Sequence, residues 1–456
     1  MKFKQMLNEA QFHGAKRLTD SHFRLYWTLS LAMLFIAAVT VVYVTIQRFF
    51  SNPTFIAKNE TVDTLMPFPT VLICPEVSYP GHKIDKFISG IKFPPSLNAS
   101  YIKGVLKQFS AFVSPDMLFN QEDLENVQEL LDFNNLDIQL AGLLLTPSCE
   151  ETLIRCRWLR EIVNCSSLFQ MEITHAGYCC VFNGRSLKRE MRENTVHVQN
   201  KGVYVDRLGF NNGLTIAVNQ RDVDLANIDL LYKWVAISTG QHFVDITVNG
   251  TPISPGEEFW VGYSTLVMQV SDDAVSLSAD QRKCRMAHEP LQYFPLYHKT
   301  YCLLECEMRR TMKQCQCLKV VHPNLPGVPL CRANRLDCAN RASVSFAMNE
   351  CNCPPTCNVE KDDSVLSTYQ LMANSHTYDR FYEDLDLEQV STVRVFVEKR
   401  NKKILQRRSY FNCFNLFSQL GGVFNVFFGC SILTLLELLL LASRAIRFCI
   451  NKYRNI

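Results

Sequence analysis

Residues 421–442 read GGVFNVFFGCSILTLLELLLLA, and the reading of this stretch decides the fold. Nearly every residue is apolar, yet two glycines open the run, Gly429, Cys430 and Ser431 interrupt its middle, and a lone acid, Glu437, sits near its end. Coiled as a helix it would be roughly 33 Å long, enough to cross a bilayer core of about 30 Å. A single-pass anchor with a tolerated glutamate needs none of those interruptions. Asn415, Ser418, Gly422, Asn425 and Gly429 recur at spacings of three, four, three and four, which puts them on one small, polar helical stripe opposite Val, Phe and Leu. Inside a membrane such residues face a bundle interior or water. Glu437 would cost about 2.5–3.5 kcal/mol unless hydrated, paired or neutral. Several copies around an axis would supply the water.

Working outward, residues 26–46, YWTLSLAMLFIAAVTVVYVTI, carry no charge and are too long for a signal-peptide core. They read as a second, retained transmembrane helix. Lys2, Lys4, Lys16, Arg17 and Arg24 precede this span, and Arg444, Arg447, Lys452 and Arg454 follow the other, so both termini are expected in the cytoplasm. The segment between would lie outside the cell. Four N-glycosylation sequons, at Asn59, Asn98, Asn164 and Asn249, all fall there, as do 16 of the 19 cysteines. Cys413, Cys430 and Cys449 lie in or beside the last span and are expected as free thiols. The 456-residue chain has a net charge of only +3 and gives no case for nucleic acid.

Between the spans, residues 68–75 predict a short strand closed by proline. Residues 116–145 predict a helix, with Leu124, Val127, Leu130 and Leu131 on one face and Glu122, Glu125 and Glu129 on another. From Asn211 to Leu277 the pattern turns to strands punctuated by Asn-Gly and Ser-Pro-Gly turns, and a final strand is predicted at 391–398, ending in the basic patch 399–408. Cys302 and Cys306 stand one helical turn apart, about 6 Å, while Cys351 and Cys353 stand about 6.6 Å apart on one face of an extended chain. A helix over 301–313 antiparallel to that segment would pair Cys302 with Cys353 and Cys306 with Cys351, nested inside Cys284 with Cys357. Nesting also suggests Cys315 with Cys338 and Cys317 with Cys331. Zinc is the rival reading of the C-x-C pairs, although no histidine pair has finger-like spacing.

These residues resemble the degenerin, epithelial sodium channel and acid-sensing channel family, most closely its short insect pickpocket-type members. The resemblance runs in order through His13-Gly14, Phe68-Pro69 to Cys74, Gly177 to Asn183 (GYCCVFN), Gly213-Leu-Thr-Ile, Ser254-Pro-Gly256, the block from Cys284 to Cys357, and Gly429-Cys430-Ser431 followed by ILTLLE. It implies a membrane α+β fold: two transmembrane helices and a large disulfide-rich extracellular domain, assembled as a trimeric channel. The domain would have a β-sheet palm (66–75, 177–277 and 390–398), a helical finger (75–180) and a thumb (284–357). The cytoplasmic ends would be 1–25 and 444–456, the spans 26–46 and 410–443, and the extracellular domain 47–409. It further implies Cys74 bridged to Cys179 and Cys156 to Cys165. Cys149 and Cys180 are left over and are expected to pair with each other.

The resemblance also assigns a selectivity filter to Gly429, Cys430 and Ser431, where backbone carbonyls would replace part of a cation's hydration shell. Ser431's hydroxyl is expected to support the neighbouring backbone. Ser418, Gly422, Asn425 and Glu437 would line the pore, and His13, Gly14 and Ser418 would govern gating. Movement of the thumb is expected to reach the spans through Tyr297, Tyr301, Phe49 and Phe50. Leu440 stands where many relatives carry a second acid and Cys430 where they carry Ser or Ala, which puts conductance and sodium preference in question.

The expected function is therefore a voltage-insensitive, sodium-preferring, amiloride-sensitive cation channel subunit of the plasma membrane. It would open to a chemosensory, mechanical or osmotic stimulus whose ligand the sequence does not name. Its partners would be subunits of the same family, in a homo- or heterotrimer, and membrane lipid; sodium is the permeant ion, with no cofactor or metal. The alternative is a non-conducting accessory or ligand-binding subunit of a heteromeric channel. The ATP-gated trimers share the two-span layout but not this cysteine order. No nucleophile elbow or phosphate-cradling loop suggests an enzyme.

Overall fold

The computed structural model describes residues 23–51, 54–74, 79–114, 117–174, 177–184, 203–220, 233–238, 250–344, 351–372, 378–409, 413–429, 431, 434, 436, 439–440 and 443. The chain divides into two compact units. One comprises Met1–Ala57, Val270–Lys283 and Gln406–Ile456, and the other Lys58–Gln269 and Cys284–Leu405.

Among the described residues one sheet has eight strands, in the order Thr54–Val62, Asn401–Ser409, Glu257–Val270, Val390–Val397, Leu214–Asn219, Leu153–Trp158 and Glu161–Val163, with Val359–Gln370 also pairing with Glu257–Val270. Alternation explains its centre. Leu214, Ile216 and Val218 point into the main core, while Ala217 on the other face is covered by Phe381, Tyr382 and Val390. Gly213 precedes this strand because an added Cβ would collide with the carbonyl of Val395. A five-stranded sheet runs Gly250–Ile253, Lys233–Ser238, Thr70–Cys74, Gly177–Phe182, Phe169–Thr174. Its register sets Val71 opposite Phe182 and Ile73 opposite Cys180, and Cys74 bridges to Cys179.

Phe68 joins the two sheets' cores, edge-on to Trp158, Phe182 and Tyr263 with ring centroids 4.8–5.7 Å apart. Its carbonyl accepts from Asn183 Nδ2 at 2.7 Å, and Asn183's own carbonyl accepts from Thr70 Oγ1 at 2.9 Å. Asn183 is left-handed, with φ 53°, a conformation asparagine tolerates better than most residues. The separated Phe68 and GYCCVFN motifs are thus one structural joint.

The helical part of this unit corrects the reading of 116–145 as continuous. Helices Gln121–Phe133 and Ile138–Leu145 are separated by a break in which Asn135 is left-handed, φ 51°. Leu124, Val127, Leu130 and Leu131 are buried in a second core with Phe109 and Phe112. Three further strands carry no hydrophobic alternation: Thr54–Val62, Val359–Gln370 and Asn401–Ser409. Charge pairs hold the last two: Lys403 Nζ lies 2.7 Å from Asp363, and Lys402 lies within 3.6 Å of both Asp63 and Glu360. The basic patch 399–408 is therefore largely a strand.

In the other unit, helix Arg24–Ser51 has 28 residues and, among the described residues, is the one helix long and apolar enough to cross a membrane. Hydroxyls of Thr28, Thr40, Thr45 and Ser51 donate to carbonyls three or four residues back, which satisfies them without water. A shorter apolar helix lies within Cys413–Phe428.

Candidate functional site

Helix Cys413–Phe428 has two unlike faces. Leu416, Leu420, Val423 and Phe427, spaced four, three and four apart, are half-buried, and Phe428 is buried with its ring 6.3 Å from Phe35 of helix Arg24–Ser51. This is the face that packs within the chain. Ser418, Gly422 and Asn425 lie elsewhere on the helix and are exposed. An added Cβ at Gly421 or Gly422 would meet nothing within 4 Å. Contacts within the described chain thus give no reason for glycine at either position.

The helix ends where the Gly-Cys-Ser triplet begins. Gly429 is left-handed, φ 62°, and its N–H donates to the Asn425 carbonyl at 2.8 Å. Beyond it, the Ser431 hydroxyl accepts from the Thr434 N–H at 3.4 Å, while the Thr434 hydroxyl accepts from the Ser431 N–H at 3.1 Å. This reciprocal pair is that of a capping box, with Ser431 in the N-cap role towards the helical Thr434. Leu440 is exposed. Cys430, Glu437, His13, Gly14 and Asn249 lie outside the described residues, as does the side chain of Asn415. Asn59, Asn98 and Asn164 are exposed, and the last two cap helices through Oδ1, with Ser100 N–H at 2.9 Å and Ser166 N–H at 3.1 Å.

The cysteine-rich block is built the opposite way. Helix Lys299–Cys315 extends beyond the expected 301–313, and its N-cap His298 accepts the Thr300 N–H at Nδ1. Bridges join Cys302 to Cys353, Cys306 to Cys351, Cys284 to Cys357, Cys315 to Cys338 and Cys317 to Cys331. Cys156 is bridged to Cys165 and Cys149 to Cys180. With the C-x-C sulfurs in disulfides, zinc is left without thiolate ligands; no cluster of His, Cys, Asp and Glu suited to a metal occurs among the described residues. Tyr297 donates to the Pro354 carbonyl at 2.5 Å, and burial pushes its phenol up to about 12. Tyr301 stacks on Phe294 at 4.9 Å, and Phe49 meets Phe50 edge-on at 5.2 Å. Burial, with help from Lys361, pushes the His298 imidazole down to about 4, so it stays neutral at physiological pH.

Two charged clusters were not foreseen in the sequence. Beneath the cysteine-rich block, Glu307 Oε1 receives the Ser343 hydroxyl at 2.5 Å, with Lys319 Nζ at 3.6 Å and His322 Nε2 at 3.4 Å. All three charged or chargeable side chains are almost wholly buried. Beside the large sheet, Arg157 grips Asp379 and Arg394 grips Glu258, with Tyr382 bonded to both Arg394 and Glu258. Burial would raise the Asp379 carboxyl, but the Arg157 hydrogen bond and the Phe381 N–H hold it below the usual range. Their bonded partners are 12 to 222 residues apart in sequence; the one local signal is a lysine inside the apolar run LKVVH, 318–322.

The family model described as amiloride-sensitive sodium channel matches residues 6–441. The chain is 27% identical to the Drosophila melanogaster sodium channel protein Nach, over 94% of this chain and 84% of that one. It is 23% identical to pickpocket protein 19 of the same fly, over 94% and 88%, and 28% identical to human acid-sensing ion channel 2 over 39% and 36%.

Proposed function

This chain belongs to the amiloride-sensitive sodium channel family, and on that premise we propose that it is a subunit of a trimeric, sodium-preferring, voltage-insensitive cation channel of the plasma membrane. Both termini are cytoplasmic, residues 26–46 and 410–443 span the bilayer, and the segment between faces outward. The observation that carries the reading is the break at Gly429: a helix with an exposed Ser418, Gly422 and Asn425 face stops at Phe428, and Ser431 beyond it is joined reciprocally to the helical Thr434. Three such breaks around an axis would present carbonyls to a partly dehydrated cation, and the hydroxyl of Ser431, engaged by Thr434, would hold that backbone rather than touch the ion. Glu437 would add an inner ring of negative charge and Cys430 the middle position of the filter. His13 and Gly14 would act on the gate from the cytoplasmic side.

An extracellular stimulus would open the pore, with movement of the 284–357 block transmitted through Tyr297, Tyr301, Phe49 and Phe50. The test is whole-cell current from the chain expressed alone, with sodium exchanged for a large organic cation, beside a Ser418→Phe variant. A bulky ring on the exposed small face is expected to hold the helices apart and give a steady sodium current that amiloride blocks. Silence from both, with surface expression confirmed, would overturn the conducting homomer. Leu440, which leaves a single acid in this segment, favours a second reading in that event: an accessory subunit that conducts only beside relatives.

A further inference from the structure

Between the two hydrophobic cores of the larger unit lies a cavity of about 530 Å³, within the size range of small-molecule sites. Its wall is made by Phe87, Ile91, Leu143, Leu144, Phe169 and Met171. Helix Ile138–Leu145 supplies the two leucines, which are 41% and 49% exposed although the helix is hydrophobic nearly all round. Such a helix belongs in a core. Here one side of it is left open onto a space that no described side chain fills.

The polar groups of the wall narrow the occupant. Thr146 donates its hydroxyl to the Gly142 carbonyl at 2.8 Å, and Ser166 donates its own to Asn164 Oδ1 at 3.0 Å. With their protons engaged, both oxygens offer lone pairs, which suits a ligand that donates a hydrogen bond. Lys83 is matched by Glu151 at 2.6 Å, and the remaining rim charges, Lys86 and Glu150, are exposed and opposite in sign. An anion or cation entering the apolar wall would lose its hydration and gain little from a solvated rim charge. We propose that this cavity binds a medium-chain aliphatic alcohol, its hydrocarbon body along Leu143, Leu144 and Phe169 and its hydroxyl donating to Thr146 or Ser166. Cys149, also in the wall, is bridged to Cys180 of the five-stranded sheet, so the occupant touches a segment covalently tied to that sheet.

The test uses the full chain in lipid nanodiscs and a decanol analogue carrying a photoreactive diazirine on its chain, with labelled peptides identified by mass spectrometry. Labelling is expected on residues 81–91 and 141–150 and is displaced by decanol. Leu144→Arg should lower it at least about tenfold, whereas Leu140→Arg, equally exposed on the same helix but lining a neighbouring cavity, should leave it unchanged. Should Leu144→Arg not reach the surface, Thr146→Val should weaken displacement by decanol several-fold while leaving displacement by decane intact. Labelling confined to the spans, or indifferent to these substitutions, overturns the site. Equal displacement by decanoate or decylamine overturns the alcohol. Because the readout is labelling rather than current, failure here leaves the channel reading untouched.

Discussion

The cysteine-rich block and the helix Cys413–Phe428 solve the same problem in opposite ways. In the block, two helices, Lys299–Cys315 and Ala333–Val344, and the loops around them are fixed by five disulfides and by a buried Glu307, Lys319 and His322 cluster, all from the one chain. In the helix segment, the break at Gly429 rests on single hydrogen bonds, and a small polar face at Ser418, Gly422 and Asn425 is exposed among the described residues. The first region is complete in one subunit. The second has the character of a half-built surface, and its composition makes sense when other copies supply the rest.

The comparison can be broken most forcefully at Lys319. Lys319→Met leaves Glu307 buried with its main cation removed, and the expected loss is about 3–5 kcal/mol, read as a collapse of surface expression. Adding Glu307→Gln should recover a large part of it. If Lys319→Met folds normally, the block does not depend on its buried charges. A smaller effect of a different kind is expected at Ser431→Ala, which removes an N-cap worth about 0.5–2 kcal/mol. It should leave the melting of the cysteine-rich region unchanged and alter ion selectivity or current, because the affected turn lies in the other unit.

How much of this was legible in sequence follows from the same contrast. Period and spacing exposed the first apolar span and the matched Cys302/Cys306 and Cys351/Cys353 intervals, since each is a local pattern, while the Gly213 and Asn183 motifs came from the family resemblance. Strands Val359–Gln370 and Asn401–Ser409 were missed because charge pairs between these two partners of Glu257–Val270, such as Lys403 with Asp363, replace hydrophobic alternation. The break at Asn134 and Asn135 was missed because the leucine stripe continues through it into Ile138–Leu145. The buried clusters were invisible for a simpler reason: Arg157 and Asp379 are 222 residues apart, and only the folded sheet brings them together.

The mildest test concerns pH. His298 is neutral in the fold, with its imidazole pushed down to about 4 against about 6.5 when unfolded. Its contribution to stability is therefore present above pH 6.5 and is lost as pH falls from there towards 4. His298→Gln should shrink the drop in melting temperature between pH 7 and pH 4.5 by roughly 2–4 °C. Asp379, held low, gives way only in more acid solution, so it does not share this window. An unchanged drop would mean that His298 is more solvated than its burial implies.

The central claim is that the small face of helix Cys413–Phe428 is completed by neighbouring copies, and cysteine cross-linking reads it without requiring current. Gly422→Cys and Phe424→Cys each place one thiol on an exposed position of the helix, the first on the small face and the second roughly 160° round from it, one turn after Leu420 on the packing side. Under mild oxidation in intact cells, with the unsubstituted chain as the background for Cys413, Cys430 and Cys449, Gly422→Cys should give a covalent dimer on a non-reducing gel and Phe424→Cys should remain a monomer. Dimers from Phe424→Cys alone, or none above background from either, would contradict the account.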